Sequence, residues 1–226
     1  MKPYYETELG RLYCGNCLEI LPTLKSSSLI LTDPPYGKNI AKTGKVGGSK
    51  PFGKSNGNII KAKQYTASEW DLTPPPRIAF ELMRSKSMHQ IIFGGNYFSN
   101  YLPPSPCWIV WDKEATGNFA DCELAYTSFP FAVRKIRWLW NGMLKEAAEE
   151  RFHITQKPVG LFMQILEKYG QDSSSILDPY LGSGTTALAC ERLNKRWIGI
   201  EISEEYCKIA KQRIEQEISQ KKLPGF

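Results

Sequence analysis

The chain has 226 residues, of which 42% are apolar and 12% aromatic, enough to fill one hydrophobic core. No stretch approaches the roughly 18–20 uninterrupted apolar residues of a membrane span and the opening MKPYYETELG lacks a signal-peptide apolar segment, so the expectation is a soluble, cytoplasmic protein with no membrane partner. The formal charge of +6 permits a polyanionic partner without demanding one.

In chain order, strands and helices are predicted to alternate. Arg11–Cys14 is the first strand, followed by a helix with Leu18, Ile20, Leu21 and Leu24 on its apolar face. Leu29–Thr32 is a short apolar run that stops at Asp33-Pro34-Pro35-Tyr36-Gly37. Thr73, ahead of Pro74–Pro76, marks a helix start leading into Ile78, Leu82 and Met83. Gln90–Phe93 runs into a Gly94-Gly95 turn, and Trp108–Trp111 and Leu124–Phe129 read as further strands. Phe162, Ile165, Leu166 and Tyr169 have helical spacing, with Gly170 as the stop. The strand Ser175–Leu177, a Gly-containing turn, a helix over Thr185–Leu193, the strand Trp197–Ile200 and a last helix carrying Tyr206, Ala210, Ile214 and Ile218 complete the order. This is the βαβ grammar of a doubly wound α/β sheet.

Lys38 to Tyr65 breaks the pattern, with seven lysines, five glycines and no Asp or Glu. Too polar to pack on its own, it reads as a mobile loop, either a solvated insertion or a contact to an anionic substrate. Cys14 and Cys17 form a C-x-x-C, a pattern of redox chemistry or half a zinc site. No second close pair accompanies it and neither His89 nor His153 stands beside another cysteine, so no metal is expected and the six cysteines read as reduced and structural.

Asp178-Pro179-Tyr180-Leu181-Gly182-Ser183-Gly184-Thr185-Thr186 sits where a strand ends and a helix begins. A G-x-G at that point lets the backbone pass close to a ligand at the carboxyl edge of a sheet. Glu201, ending the next strand, is placed to accept hydrogen bonds from both hydroxyls of a ribose. The third glycine of the dinucleotide fingerprint is missing, which points to a nucleoside cofactor without a pyrophosphate. The alternative on these residues alone is a tight structural turn with an exposed Glu201.

Asp33-Pro34-Pro35-Tyr36 would lie in the same crevice. Methylating an exocyclic amine requires acceptors for its two N–H bonds, because its lone pair is delocalised into the ring. The Asp33 carboxylate and the Pro34 carbonyl, fixed by two prolines, can be that pair. Tyr36 offers a flat face to a base extruded from a duplex. Taken alone, D-P-P-Y is equally an ordinary turn with a capping Asp.

These residues together resemble the amino-methylating DNA methyltransferases. Asp33–Tyr36 is similar to their catalytic D-P-P-Y, and DPYLGSGTT to their cofactor loop, with Tyr180 for the usual Phe. His153-Ile154-Thr155-Gln156-Lys157-Pro158 resembles the family segment near the methionine end of S-adenosylmethionine. Gly15-Asn16-Cys17 stands where the family has G-D-C, close to the cofactor's adenine; Asn keeps an acceptor and loses the charge. The catalytic motif precedes the cofactor motif, as in the β group, a circular permutation of the methyltransferase sheet. Gly94-Gly95-Asn96-Tyr97-Phe98 and Trp111-Asp112-Lys113 look like compact phage and prophage enzymes.

The resemblance implies a Rossmann-like S-adenosylmethionine-dependent methyltransferase domain over residues 1–226. Its catalytic residues would be Asp33, Pro34, Pro35 and Tyr36. Its cofactor site would comprise Asn16, Cys17, Asp33, Gln156, Lys157, Asp178, Tyr180, Gly182, Ser183, Gly184, Thr185, Glu201 and Ile202. It further implies site-specific methylation of a flipped adenine in double-stranded DNA, of the restriction-modification kind, since Asp at the first motif position usually accompanies adenine and Ser cytosine. A homodimer, and association with the nucleoid while acting, are expectations of the same standing.

Residues 38–70 and 113–152 are the candidate DNA-contacting insertions. They offer Lys38, Lys42, Lys45, Lys50 and Lys54, and then Arg134, Lys135 and Arg137 among the aromatics of Arg134–Trp140. That second stretch reads equally as a strand with Ile136, Trp138 and Trp140 on the core face and its cations in solvent. Cytosine N4 methylation, RNA methylation and a catalytically silent nucleic-acid-binding module stay open as alternatives.

Overall fold

The structure, a computed structural model, describes residues 1–37, 73–114, 120–141, 144–145, 152 and 156–221. The lysine-rich stretch from Lys38 to Tyr65 lies outside the described residues.

In chain order the elements are β1 (Tyr5–Glu6), β2 (Gly10–Cys14), α1 (Cys17–Ile20), β3 (Ser27–Thr32), α2 (Arg77–Ser85), β4 (Ser87–Phe93), β5 (Trp108–Asp112) and β6 (Cys122–Thr127). Then follow β7 (Arg134–Arg137), β8 (Trp140–Asn141), β9 (Leu144–Lys145), α3 (Val159–Tyr169), β10 (Ile176–Asp178), α4 (Thr185–Arg192), β11 (Trp197–Glu201) and α5 (Glu204–Lys221). One sheet runs in the order β1-β2-β11-β10-β3-β4-β6-β5-β7, and β8 and β9 pair separately. From β2 to β4 the neighbours are all parallel, whereas β6 is antiparallel to both β4 and β5.

The central strand β3 shows why this region reads as an unbroken apolar run. Leu29, Ile30 and Leu31 are all fully buried, because helices cover both faces of the parallel block. Leu29 and Leu31 join the cluster holding Phe162 and Ile165 of α3, and Ile30 joins the opposite cluster with Phe80 and Met83 of α2. Successive strand residues point to opposite faces, so each apolar residue of β3 serves one of the two cores. On β2, Gly10 leaves room for the Trp197 indole, which a Cβ at that position would meet at 2.1 Å.

Several elements differ in detail from the sequence reading. Helix α2 turns Ala79, Phe80 and Met83 inward, leaving Ile78 49% exposed, because the register is set by packing on β3 and β4. Gly170 ends α3 without a left-handed conformation. Its φ is −106°, and a Cβ there would meet the Leu166 carbonyl at 2.9 Å. On α5 the buried set is Cys207, Ala210, Arg213 and Ile214, with Tyr206 and Ile218 only partly covered. Residues 134–140, by contrast, match the strand reading: Ile136 and Trp140 are buried and the cations of β7 are exposed. Trp138 packs across the start of α3, where a Cβ on Gly160 would meet its ring at 2.0 Å.

Among the described residues, no helix is long and apolar enough to cross a membrane.

Candidate active site

Parallel strands deliver their carboxyl ends to one edge of a sheet, and three acidic residues arrive at this edge. Asp178 ends β10, Glu201 ends β11, and Asp33 follows β3 directly. Between them lies a cavity of about 260 Å³. It is lined by Asp33, Pro35, Gln156, Lys157, Phe162, Asp178, Tyr180, Leu181, Gly182, Ser183, Thr185, Thr186, Glu201, Ile202 and Tyr206.

The turn between β10 and α4 is built on two left-handed glycines, Gly182 at φ +55° and Gly184 at φ +94°. A Cβ on Gly182 would enter open space, so the bare backbone there borders the cavity. The turn is held from below by Asp178, whose carboxylate accepts from Thr32 Oγ1 (2.6 Å), Thr186 Oγ1 (2.5 Å) and the Tyr180 N–H (3.0 Å). Burial pushes the Asp178 carboxyl up to about 6, despite those three donors.

From the other side, the Gly182 and Ser203 N–H groups donate to Glu201 at 2.9 and 2.7 Å. Burial raises the Glu201 carboxyl, and these two backbone donors oppose the shift. Ser183 Oγ donates to Gln156 Oε1 (3.2 Å), and Arg213 of α5 donates to the Ser183 carbonyl at 2.6 Å.

Asp33 sits among cations and rings. Tyr36 OH donates to Asp33 Oδ1 at 2.5 Å, and Lys157 Nζ to Oδ2 at 2.6 Å. Lys157, 6% exposed, also lies 3.2 Å from Glu123 Oε2, and Lys113 pairs with the other oxygen of Glu123. Burial raises the Asp33 carboxyl against the pull of Lys157. For Lys157, burial works against the charge, but Asp33 and Glu123 outweigh it and hold the ammonium above its ordinary range. The Tyr36 ring stacks on Tyr97 at 4.9 Å, edge-on to Phe98. Gly94, at φ +66°, permits this placement, since a Cβ would meet the Tyr36 ring at 2.2 Å.

The expected residues are thus largely together. Asp33, Pro35, Gln156, Lys157, Asp178, Tyr180, Gly182, Ser183, Thr185, Glu201 and Ile202 line one cavity, with Gly184 in its turn and Tyr36 hydrogen-bonded to Asp33. Asn16 and Cys17 do not line it. Asn16 caps α1 through the Leu18 N–H at 3.0 Å, and Cys17 is buried. Lys38, Lys42, Lys45, Lys50 and Lys54 lie outside the described residues. Arg134, Lys135 and Arg137 are exposed on β7, with Lys135 paired to Asp112 at 3.2 Å and Arg137 to Glu114 at 2.5 Å.

Sequence reasoning misses the roles of Glu123, Thr32 and Arg213. Thr186 belongs to the cofactor-loop motif, whereas Glu123, in C-E-L-A-Y-T, carries no local signal at all.

A family model described as DNA methylase matches residues 131–212. The type II methyltransferase M.HpaI of Haemophilus parainfluenzae is 26% identical over 253 residues, covering 92% of this chain and 75% of that one. The crystal structure of an M1.HpyAVI–SAM complex superposes with a TM-score of 0.58 at 21% identity, over 91% of this chain and 99% of that one. The cytosine-N4-specific PvuII DNA methyltransferase gives 0.59 at 15% identity, over 97% and 94%.

Proposed function

We propose that the chain is an S-adenosylmethionine-dependent amino-methyltransferase of the N6-adenine/N4-cytosine DNA type, and that it methylates the exocyclic amine of a flipped adenine at specific sites in double-stranded DNA. The observation that carries this reading is that Asp33 and Glu201 border one cavity beside the glycine turn.

The lining fits the cofactor. Bare backbone at Gly182 allows close approach, and Glu201 retains acceptor capacity for two ribose hydroxyls after taking its two N–H groups. Tyr180, Leu181 and Ile202 supply apolar surface, while Gln156, Lys157, Ser183 and Thr185 form the polar end. When bound, S-adenosylmethionine supplies an electrophilic methyl group.

The chain's own residues prepare the nucleophile. Asp33 and the Pro34 carbonyl accept the two N–H bonds of the base's amine, localising the nitrogen lone pair. Tyr36, held by its stack on Tyr97, is the ring assigned to the flipped base, a contact worth roughly 1–3 kcal/mol. The order of motifs, with β3 early in the chain yet paired to β10, supports a circularly permuted sheet in one methyltransferase domain. Exposed Arg134, Lys135 and Arg137, with the lysines of residues 38–54, are assigned to the DNA backbone.

Adenine rests on Asp33 at the first motif position; the likeness to a cytosine-N4-specific enzyme keeps cytosine N4 as the second reading. Nucleoside digestion of methylated DNA followed by mass spectrometry separates them, and methylcytosine as sole product would overturn adenine alone. Asp33→Ala should lose turnover by about 10²–10³-fold, or roughly 2.7–4 kcal/mol of barrier, while calorimetry still detects S-adenosylmethionine binding. Turnover retained by Asp33→Ala would overturn the assignment.

A further inference from the structure

Both oxygens of Asp33 are occupied, Oδ1 by Tyr36 OH at 2.5 Å and Oδ2 by Lys157 Nζ at 2.6 Å. Each oxygen keeps a lone pair for an incoming amine, but the carboxylate is neutralised by a buried ammonium, which weakens it as an acceptor. The Lys157 ammonium is 6% exposed, and a buried charge stripped of its counter-charge is strongly unfavourable.

A second counter-charge is already in reach. Glu123 enters from β6, three strands from β10, and puts Oε2 3.2 Å from Lys157 Nζ. That oxygen is buried and has no aligned hydrogen-bond donor among the described residues, while Oε1 is paired with Lys113. Lys157 therefore stands between two carboxylates, donating to Asp33 and, at 3.3 Å, to the Tyr36 hydroxyl, with an unsatisfied acceptor of Glu123 beside it. Its Nζ also lies 5.4 Å from the ring centroids of both Tyr36 and Phe93, faces that favour a cation throughout a short shift. Burial pushes the Glu123 carboxyl up, but Lys157 and Lys113 hold it below the ordinary range, so it remains ionised.

We propose that Glu123 is a positioning residue for methyl transfer, which takes over the Lys157 ammonium when the base's amino group binds Asp33. The carboxylate then meets the amine with its charge less neutralised, and no buried charge is left unpaired. No covalent bond forms or breaks in this exchange and no proton changes hands. Two carboxylates, Asp33 and Glu123, face two ammonium groups, Lys157 and Lys113, before and after it. The inference rests on reading Asp33 as the acceptor for the amine.

The test is steady-state DNA methylation by Glu123→Gln, Glu123→Asp and Asp33→Ala, with thermal unfolding of each. Glu123→Gln keeps the shape and removes the charge; kcat should fall about tenfold or more, with KM for DNA and for S-adenosylmethionine little changed. Glu123→Asp, with the charge one methylene further back, should fall between that variant and the parent. A Glu123→Gln enzyme at parental kcat, beside an inactive Asp33→Ala, overturns the inference and leaves the functional reading standing. So does a loss that Glu123→Asp fails to relieve, or one that appears in KM. If Glu123→Gln does not fold, Glu123→Asp decides: a kcat below the parent's at unchanged KM supports the inference, and a parental kcat overturns it. Turnover retained by Asp33→Ala instead overturns the functional reading itself.

Discussion

Asp178 illustrates how a single side chain trades stability for position. Its carboxylate is 3% exposed and shares its two oxygens among Thr32, Thr186 and the Tyr180 N–H, so it ties β3, β10 and the start of α4 together. The cost is desolvation, which raises its pKa from 3.8 to about 6. A carboxyl whose folded pKa lies above its unfolded one contributes stability that is fully present below the unfolded value and is lost as pH rises through the folded one. The stability advantage of the parent over Asp178→Asn should therefore decline between about pH 4 and about pH 6 and level off above, by up to about 3 kcal/mol at about 1.4 kcal/mol per pKa unit. Unfolding midpoints of the two proteins across that range check it; an advantage growing with pH would contradict the raised pKa. The sequence marks Asp178 and Thr186 through one local motif, but Thr32 lies 146 residues away and is recruited only by strand pairing.

At the scale of elements, β3 and β10 read clearly because a doubly covered strand must be apolar throughout and must stop where a turn begins. Helix α2 reads less clearly, because its periodicity admits more than one inward face. Packing on β3 and β4 selects Phe80 and Met83, both fully buried, and leaves Ile78 outside. Phe80→Ala should cost about 3–5 kcal/mol of stability, whereas Ile78→Ala should stay within about 0.5 kcal/mol. Chemical denaturation of the two variants measures both, and equal costs would mean that the helix sits in another register. The glycines at close contacts follow the same logic. Gly10 and Gly160 each make room for a tryptophan distant in sequence, so neither is legible as a packing site until the elements meet.

At the scale of the whole molecule, the cations behind the formal charge of +6 are not equivalent. Lys135 and Arg137 of β7 are answered by Asp112 and Glu114, while Arg134 donates to the Val133 carbonyl and pairs with no carboxylate among the described residues. If β7 faces the DNA backbone, Arg134→Ala should reduce the slope of log K against log salt by about 0.9, and Lys135→Ala or Arg137→Ala by less. Replacing Lys42, Lys45, Lys50 and Lys54 together by Ala should flatten the slope further; an unchanged slope in all of these variants would remove both stretches from the DNA interface.

What the sequence by itself determined are the features written in neighbouring residues. These are the glycine turn after Asp178, the proline-fixed Asp33–Tyr36 segment and the apolar strands feeding them. Turn geometry and strand periodicity are local properties, so a single chain displays them without its partners. What only the tertiary structure decided is which distant groups share a charge or a cavity. Lys157 reaches Asp33 across 124 positions, Glu123 joins them from another strand, and Asn16 turns to capping a helix rather than lining the cavity. Such pairings depend on the order in which strands assemble into the sheet, and nothing in the residues flanking Glu123 records that order.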